Sequence, residues 1–227
     1  MIATVFTPDG IVISTLGYDS FYHASKTESD SYIEKIDIVG HQHIINFWNR
    51  YALVFHQVDE YTYSSGIINM LQEVKQRWTD SIPTIYELMP YIKKQIIDLD
   101  LNIIGIMAGY SVSENKMYDP YVYQILGDDI RRINTNTNGE ITFNCVFIEK
   151  ETMMGRIMRD VKVNNGNRWE ELTPLQLRCD LYSVSKAREI SFFLLQTAFQ
   201  LNHINSSNIP HYDMESVVIT PNELLTE

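Results

Sequence analysis

Long apolar runs are missing from this chain. No window of its 227 residues approaches the roughly 20 apolar positions that a bilayer-spanning helix needs, so no membrane span is expected. Basic residues are scarce too. Lys and Arg number 18 against 29 Asp and Glu, a formal net charge of −11. That balance supplies no basic surface for a phosphate backbone and excludes nucleic acid as a partner. Cysteine is nearly absent, with Cys145 and Cys179 far apart in sequence, which excludes a disulfide scaffold and a cysteine-ligated zinc site. Phosphate-cradling glycine loops, Gly-x-Ser-x-Gly and His-Glu-x-x-His do not occur, and no cofactor or metal is expected. The opening Met1-Ile-Ala-Thr-Val-Phe6 has neither a basic start nor a sustained apolar stretch, so it does not read as a secretion signal and the expected location is cytoplasmic.

What is present is ordinary for a globular protein: 44% hydrophobic and 21% charged residues, enough to bury a substantial core. No linker, composition shift or repeat divides the chain, so one domain over residues 1–227 is expected. Glycine and proline, ten and seven in all, punctuate it. Thr7-Pro-Asp-Gly10 is turn chemistry between β-rich runs at 2–6 and 11–15, which predicts an N-terminal hairpin. Residues 16–30 are polar and rich in Tyr and Ser and read as a loop. An alternating run at 32–39 stops at Gly40, with 43–48 as its expected neighbour. Residues 51–63 fit strand or helix entry. Ser65 is a candidate cap for a helix carrying Ile67, Ile68, Leu71, Val74 and Trp78. Asp80-Ser-Ile-Pro83 ends that helix. A second follows on Ile85, Leu88, Met89, Ile92 and Ile96, kinked or split at Pro90. Four β-rich runs come next, at 103–108, 121–126, 129–133 and 141–148, with a turn cluster at 134–139. Residues 149–161 read as a short Met-rich helix and 163–167 as loop.

Residues 183–202 carry Val184, Ala187, Ile190, Leu194, Ala198 and Leu201 at helical spacing, and Phe192, Phe193, Leu195 and Phe199 widen the stripe. That pattern predicts a helix covered on two sides. Residues 203–210 are loop, and 216–220 form a strand stopped by Pro221. Strand runs separated by paired helices suggest a layered α+β sandwich.

Ala187-Arg-Glu-Ile190, Phe193-Leu-Leu-Gln-Thr197 and Val217-Val-Ile-Thr-Pro221 follow one another in the order of a known closing segment. It resembles that of bacterial proteasome-like proteins of the N-terminal-nucleophile (Ntn) hydrolase superfamily. The resemblance implies a four-layer αββα sandwich of two antiparallel sheets. The family's glycine-rich approach to the last hairpin is replaced here by His211-Tyr-Asp-Met-Glu215. Members with this closing segment commonly assemble through their helical layers, which implies a homo-oligomer.

Active members carry Thr, Ser or Cys at the mature N-terminus, whose own α-amino group takes the nucleophile's proton. A strand lysine lowers that nucleophile's proton affinity, and an aspartate after the second strand holds the lysine. Lys35, in Tyr32-Ile-Glu-Lys-Ile36, matches the lysine; read from the residues alone, it is first a solvated charge on a strand near an edge. Asp19-Ser20 offers an aspartate, later than the family pattern has it and in a stretch where turns alone favour Asp. The family's spacing, counted back from Gly10, passes the start of the chain. Thr4 is the only early hydroxyl on the first strand. Cleavage before it leaves a strand roughly 13 Å too short to set it opposite the lysine. Thr4 therefore reads as a β-former. Two functions compete: a catalytically silent binding or assembly subunit, which the missing nucleophile favours, and an active amidohydrolase or threonine-type peptidase acting on a peptide or amide.

Other constellations are weaker. His41 and His43 share one face of a strand without an identifiable third ligand. His203 and His211 flank a loop. Met153, Met154 and Met158 suit a core or partner-facing stripe. Tyr118, Tyr121 and Tyr123 suit an interface.

Overall fold

The computed structural model describes residues 1–17, 20–26, 31–37, 44–56, 66–79, 81–101, 103–112, 118–148, 161–164, 169–172, 177–202, 213–222 and 224–226. Strands β1 (Ile2–Thr7) and β2 (Gly10–Gly17) form the expected hairpin. Its turn is closed by Thr7, whose hydroxyl donates to the Gly10 carbonyl at 3.0 Å and accepts from the Gly10 amide at 3.2 Å. Strand β10 (Asn144–Ile148) pairs with the outer edge of β1, and β13 (Asp213–Ile219) with β2. β14 (Leu224–Thr226) closes the chain as a hairpin with β13, giving a first sheet in the order β10-β1-β2-β13-β14, antiparallel at every pairing. The second sheet runs in sequence order, also antiparallel: β5 (Ile44–Phe47), β6 (Tyr51–His56), β7 (Ile104–Val112), β8 (Tyr118–Leu126) and β9 (Asp129–Arg132).

Period-two alternation assigns each side chain of these sheets to a layer. Ile2, Phe6, Ile11, Ile13, Val217 and Ile219 face Ala52, Val54, Ile106, Ala108 and Val122 across the gap between the sheets. On the far side of the first sheet, Ala3, Val5, Val12 and Val218 meet α3 (Val184–Asn202) through Ala187, Leu194, Leu195, Ala198 and Phe199. On the far side of the second, Tyr51, Leu53, Phe55 and Met107 meet α1 (Ile68–Arg77) and α2 (Ile85–Asp98). The result is helix, sheet, sheet, helices: the expected four-layer α+β sandwich.

Several expectations need correction. Residues 16–30 are not a continuous loop: β2 runs on to Gly17, and β3 (Ser20–Lys26) pairs along its whole length with β4 (Ser31–Asp37). Phe21 and Tyr22 are good strand formers, and pairing outweighs the local polarity. The neighbour of the 32–39 run is therefore β3, while β5 pairs with β6, which settles residues 51–56 as strand. Val161 is strand rather than the end of a helix, and Val163 and Asn164 are strand rather than loop, because β11 (Val161–Asn164) pairs with β12 (Trp169–Leu172). Strand β10 begins at Asn144, and Ile141 makes only an isolated bridge with Thr135 around the 134–139 turn. α2 runs through Pro90 as one helix, held at its start by a capping box between Thr84 and Glu87. α3 is covered on one face alone among the described residues. Phe193 is 63% exposed, and Lys186, Glu189, Gln196 and Gln200 share the outer surface. Ser65, residues 149–160 and residues 203–212 lie outside the described residues.

Candidate active-site region and the polar groups around it

The first sequence candidate is Thr4. It stands in the middle of β1, opposite Ile13 of β2 on one side and Val146 of β10 on the other. Alternation turns it with Ile2 and Phe6 toward the gap between the sheets, where its neighbours are aliphatic and aromatic. Thr4 is fully buried, as are Ile2 and Ala3 before it. Its Oγ1 has no hydrogen-bond partner among the described residues, an arrangement that costs about 1–3 kcal/mol for a hydroxyl. The Thr4 nitrogen is a peptide nitrogen inside a paired strand. In this state it offers neither the free amine that takes the proton nor access for a substrate.

The second candidate, Lys35, lies in β4 with its backbone opposite Tyr22 of β3. Asp19, His41, His43, His203 and His211 lie outside the described residues. Among the described residues no three His, Cys, Asp or Glu side chains are grouped to hold a metal ion. Both cysteines are free and buried between the first sheet and α3, where burial above all pushes the thiols up, Cys179 to about 11. They are not nucleophiles at neutral pH.

Two polar features escaped the sequence reading. Tyr110 projects from β7 into the inter-sheet layer with its hydroxyl buried and unpartnered among the described residues. Burial, with a smaller contribution from the Asp9 carboxylate, pushes its phenol up to about 12. The second lies on the other face of the second sheet, where α2 begins. Asn134 is fully buried there: its Nδ2 donates to the Pro120 carbonyl at 2.8 Å, and its Oδ1 accepts from the Val122 amide at 3.1 Å. The side chain thus satisfies β8 backbone groups just beyond the end of β9. Arg132 joins this knot through Nε to Asn134 Oδ1 at 3.0 Å and Nη2 to the Pro120 carbonyl at 2.9 Å. Its guanidinium carbon lies 4.0 Å from the centre of the Tyr121 ring. The Tyr121 hydroxyl, buried, shares a hydrogen bond with that of Tyr86, the second residue of α2, which is 60% exposed. Burial first, then the Tyr86 contact, raises the Tyr121 phenol. Arg131-Arg132 followed by Asn134 was visible in the sequence, but nothing local marks a long-range knot. Of the three tyrosines read as interface candidates, Tyr121 is core and Tyr118 is exposed.

Neither a protein-family model nor a curated protein matches this sequence. Solved structures do. Anbu from Hyphomicrobium sp. strain MC1 superposes with a TM-score of 0.58 at 10% identity, over 99% of this chain and 86% of that one. Its Gly-1 mutant gives 0.59 at 10% identity, over 100% and 86%. Anbu from Yersinia bercovieri, described as an ancestral β-subunit, gives 0.55 at 9% identity, over 99% and 85%. At such identity the likeness is one of fold, and that fold is proteasome-subunit-like.

Proposed function

We propose that this chain is a single-domain, proteasome-like protein of the Ntn fold that lacks a working N-terminal nucleophile and acts by binding or by assembly. The observation that carries this reading is Thr4. The early hydroxyl available to the chemistry is sealed in the inter-sheet layer, within a strand paired on both sides. Covalent catalysis of this class needs the hydroxyl, a free amine and the substrate carbonyl in one accessible place. Lys35, without a nucleophile to serve, becomes a strand lysine. The assembly is a homo-oligomer in the cytoplasm built through the helical layers. The outer face of α3, uncovered among the described residues, supports this: Phe193 there and Leu181 just before the helix are 63% and 70% exposed.

Intact mass and N-terminal sequencing after incubation with a hydroxyl-reactive electrophile test the silent reading. An unmodified Thr4 within an uncleaved β1 is expected. Label on Thr4 with Met1 to Ala3 removed would establish the competing amidohydrolase, and Lys35→Ala should then abolish turnover. Light scattering at micromolar concentration tests assembly separately, and a monomer there would sink it.

A further inference from the structure

We propose that Arg132 and the Tyr86–Tyr121 pair form a receptor for a small oxyanion, either a carboxylate or a phosphate. The proposal is independent of whether Thr4 is silent, since the two places lie in different layers of the sandwich. Four observations carry it. First, the guanidinium is fixed before any ligand arrives: Nε and Nη2 are tied to neutral acceptors, Asn134 Oδ1 and the Pro120 carbonyl, and its carbon sits over the Tyr121 ring. Second, donors outnumber acceptors. A guanidinium carries five N–H groups, and two are used in this knot, so three remain. The tyrosine pair has two hydroxyl protons, of which one lies between the oxygens and the other points elsewhere.

Third, no carboxylate among the described residues neutralises the charge. Among the described residues Arg132 makes no ion pair; the pairs there are Arg178–Asp180, just before α3, and Lys186–Glu189, on it. Asp119 shares the Tyr121 face of β8 and raises that phenol slightly, but it is not bonded to Arg132. Fourth, the place is reachable: Arg132 is half-buried, and Tyr86 stands largely in solvent. The unused N–H groups of this guanidinium, with the spare phenol proton of the Tyr86–Tyr121 pair, suit the oxygens of one anion, bound bidentately by arginine with a third bond from tyrosine. The N-terminus of α2, close by, adds little, because Glu87 already caps it.

The test is thermal denaturation of the full chain in sodium phosphate and in sodium acetate, each against sodium chloride at equal ionic strength. A ligand that binds the folded state raises Tm with its concentration. Either anion, or both, should raise Tm beyond chloride, and which one does so separates a tetrahedral from a planar ligand. Arg132→Lys keeps the charge but loses the fork, and should erase that increment. Tyr86→Phe removes the hydroxyl that bonds the buried Tyr121 hydroxyl, so its own Tm in chloride is its reference, and it should weaken apparent affinity roughly tenfold, as expected for one bond to a charged group. If Arg132→Lys proves unstable, calorimetric titration of Tyr86→Phe with the effective anion decides alone. No increment over chloride with either anion, or one retained unchanged in Tyr86→Phe, overturns the proposal and leaves Arg132 as a strand-end clasp.

Discussion

Replacing Thr4 by Val should stabilise this protein. The hydroxyl of Thr4 leaves water for a fully buried place in which no described residue bonds to it. A hydroxyl treated this way costs about 1–3 kcal/mol, whereas a methyl group of similar size is at home among Ile2, Phe6 and Ile13. Both side chains are β-branched and equally suited to a strand, so the change acts through solvation alone. A gain of about 1 kcal/mol, the lower end of that range, corresponds to a rise in Tm of roughly 2–4 °C for a chain of this size. The assay is urea unfolding at fixed protein concentration, where the midpoint should rise while the slope stays unchanged. Ser14→Ala provides the opposite sign: it removes a 2.7 Å bond to Ser191 and should cost about 1 kcal/mol. A Thr4→Val variant that loses 1 kcal/mol or more would refute the reasoning. It would mean that the hydroxyl is bonded and the inter-sheet layer is not dry, which removes the main support for a silent Thr4.

Gly109→Ala should destabilise by about 1–3 kcal/mol in the same assay, because the new Cβ runs into the Tyr51 ring and lies 2.6 Å from the Arg50 carbonyl oxygen; a variant within 0.5 kcal/mol of wild type, about the spread of an innocuous change, would count against the described packing of β6 on β7. Glu87 accepts from the Thr84 amide and hydroxyl at 2.8 Å, the backbone bond chiefly holding its carboxyl below the usual range. A depressed carboxylate contributes stability above its unfolded value of ~4.3, and that contribution is lost as pH falls, so Glu87→Gln should lose less stability on acidification than wild type. An unchanged acid profile would dismiss the cap. Cys145 and Cys179, buried and with raised thiols, should resist an aromatic disulfide reagent in the native protein and react after denaturation. Rapid native reaction would show that the layer under α3 opens.

Much of this architecture was legible because its signals are local. Thr7-Pro-Asp-Gly10 states its own turn, and the glycine has a second reason to be there: a Cβ would lie 2.9 Å from the Ile219 carbonyl oxygen and 2.8 Å from Val184. Val217 to Ile219 pair with Ile13, Val12 and Ile11 and with β14, closing the first sheet. The reading of 16–30 as loop missed β3 because Ser, His and Lys say little about strand until a partner supplies the hydrogen bonds. Pro90 does not split α2. Its missing N–H is tolerated in a helix that buries Ile85, Leu88, Met89, Ile92 and Ile96 against the second sheet, since that burial outweighs one lost bond. The turn at Trp48-Asn49, where both residues take positive φ, was equally unreadable: Asn accepts that conformation, Trp seldom does, and packing against Trp78 holds it there.

The candidate site was less legible than the fold, for a physical reason. A layer assignment needs only alternation, which survives the replacement of one apolar residue by another, and it set Thr4 on the inter-sheet face. Catalysis needs a hydroxyl, an amine and a lysine within a bond length or two of a substrate, and no periodicity encodes that. The same holds for Arg132. In sequence it is one of two adjacent arginines at a strand end, with Arg131 turned to Gln124 at 2.9 Å. Only the return of the chain places Asn134 under Pro120, Tyr121 beneath the guanidinium and Tyr86 beside them. Its donors are set by residues from α2, β8 and β9 together. A fold shared at one identical residue in ten leaves the polar groups that recognise a ligand unspecified, and the chemistry of this chain has to be sought in those groups.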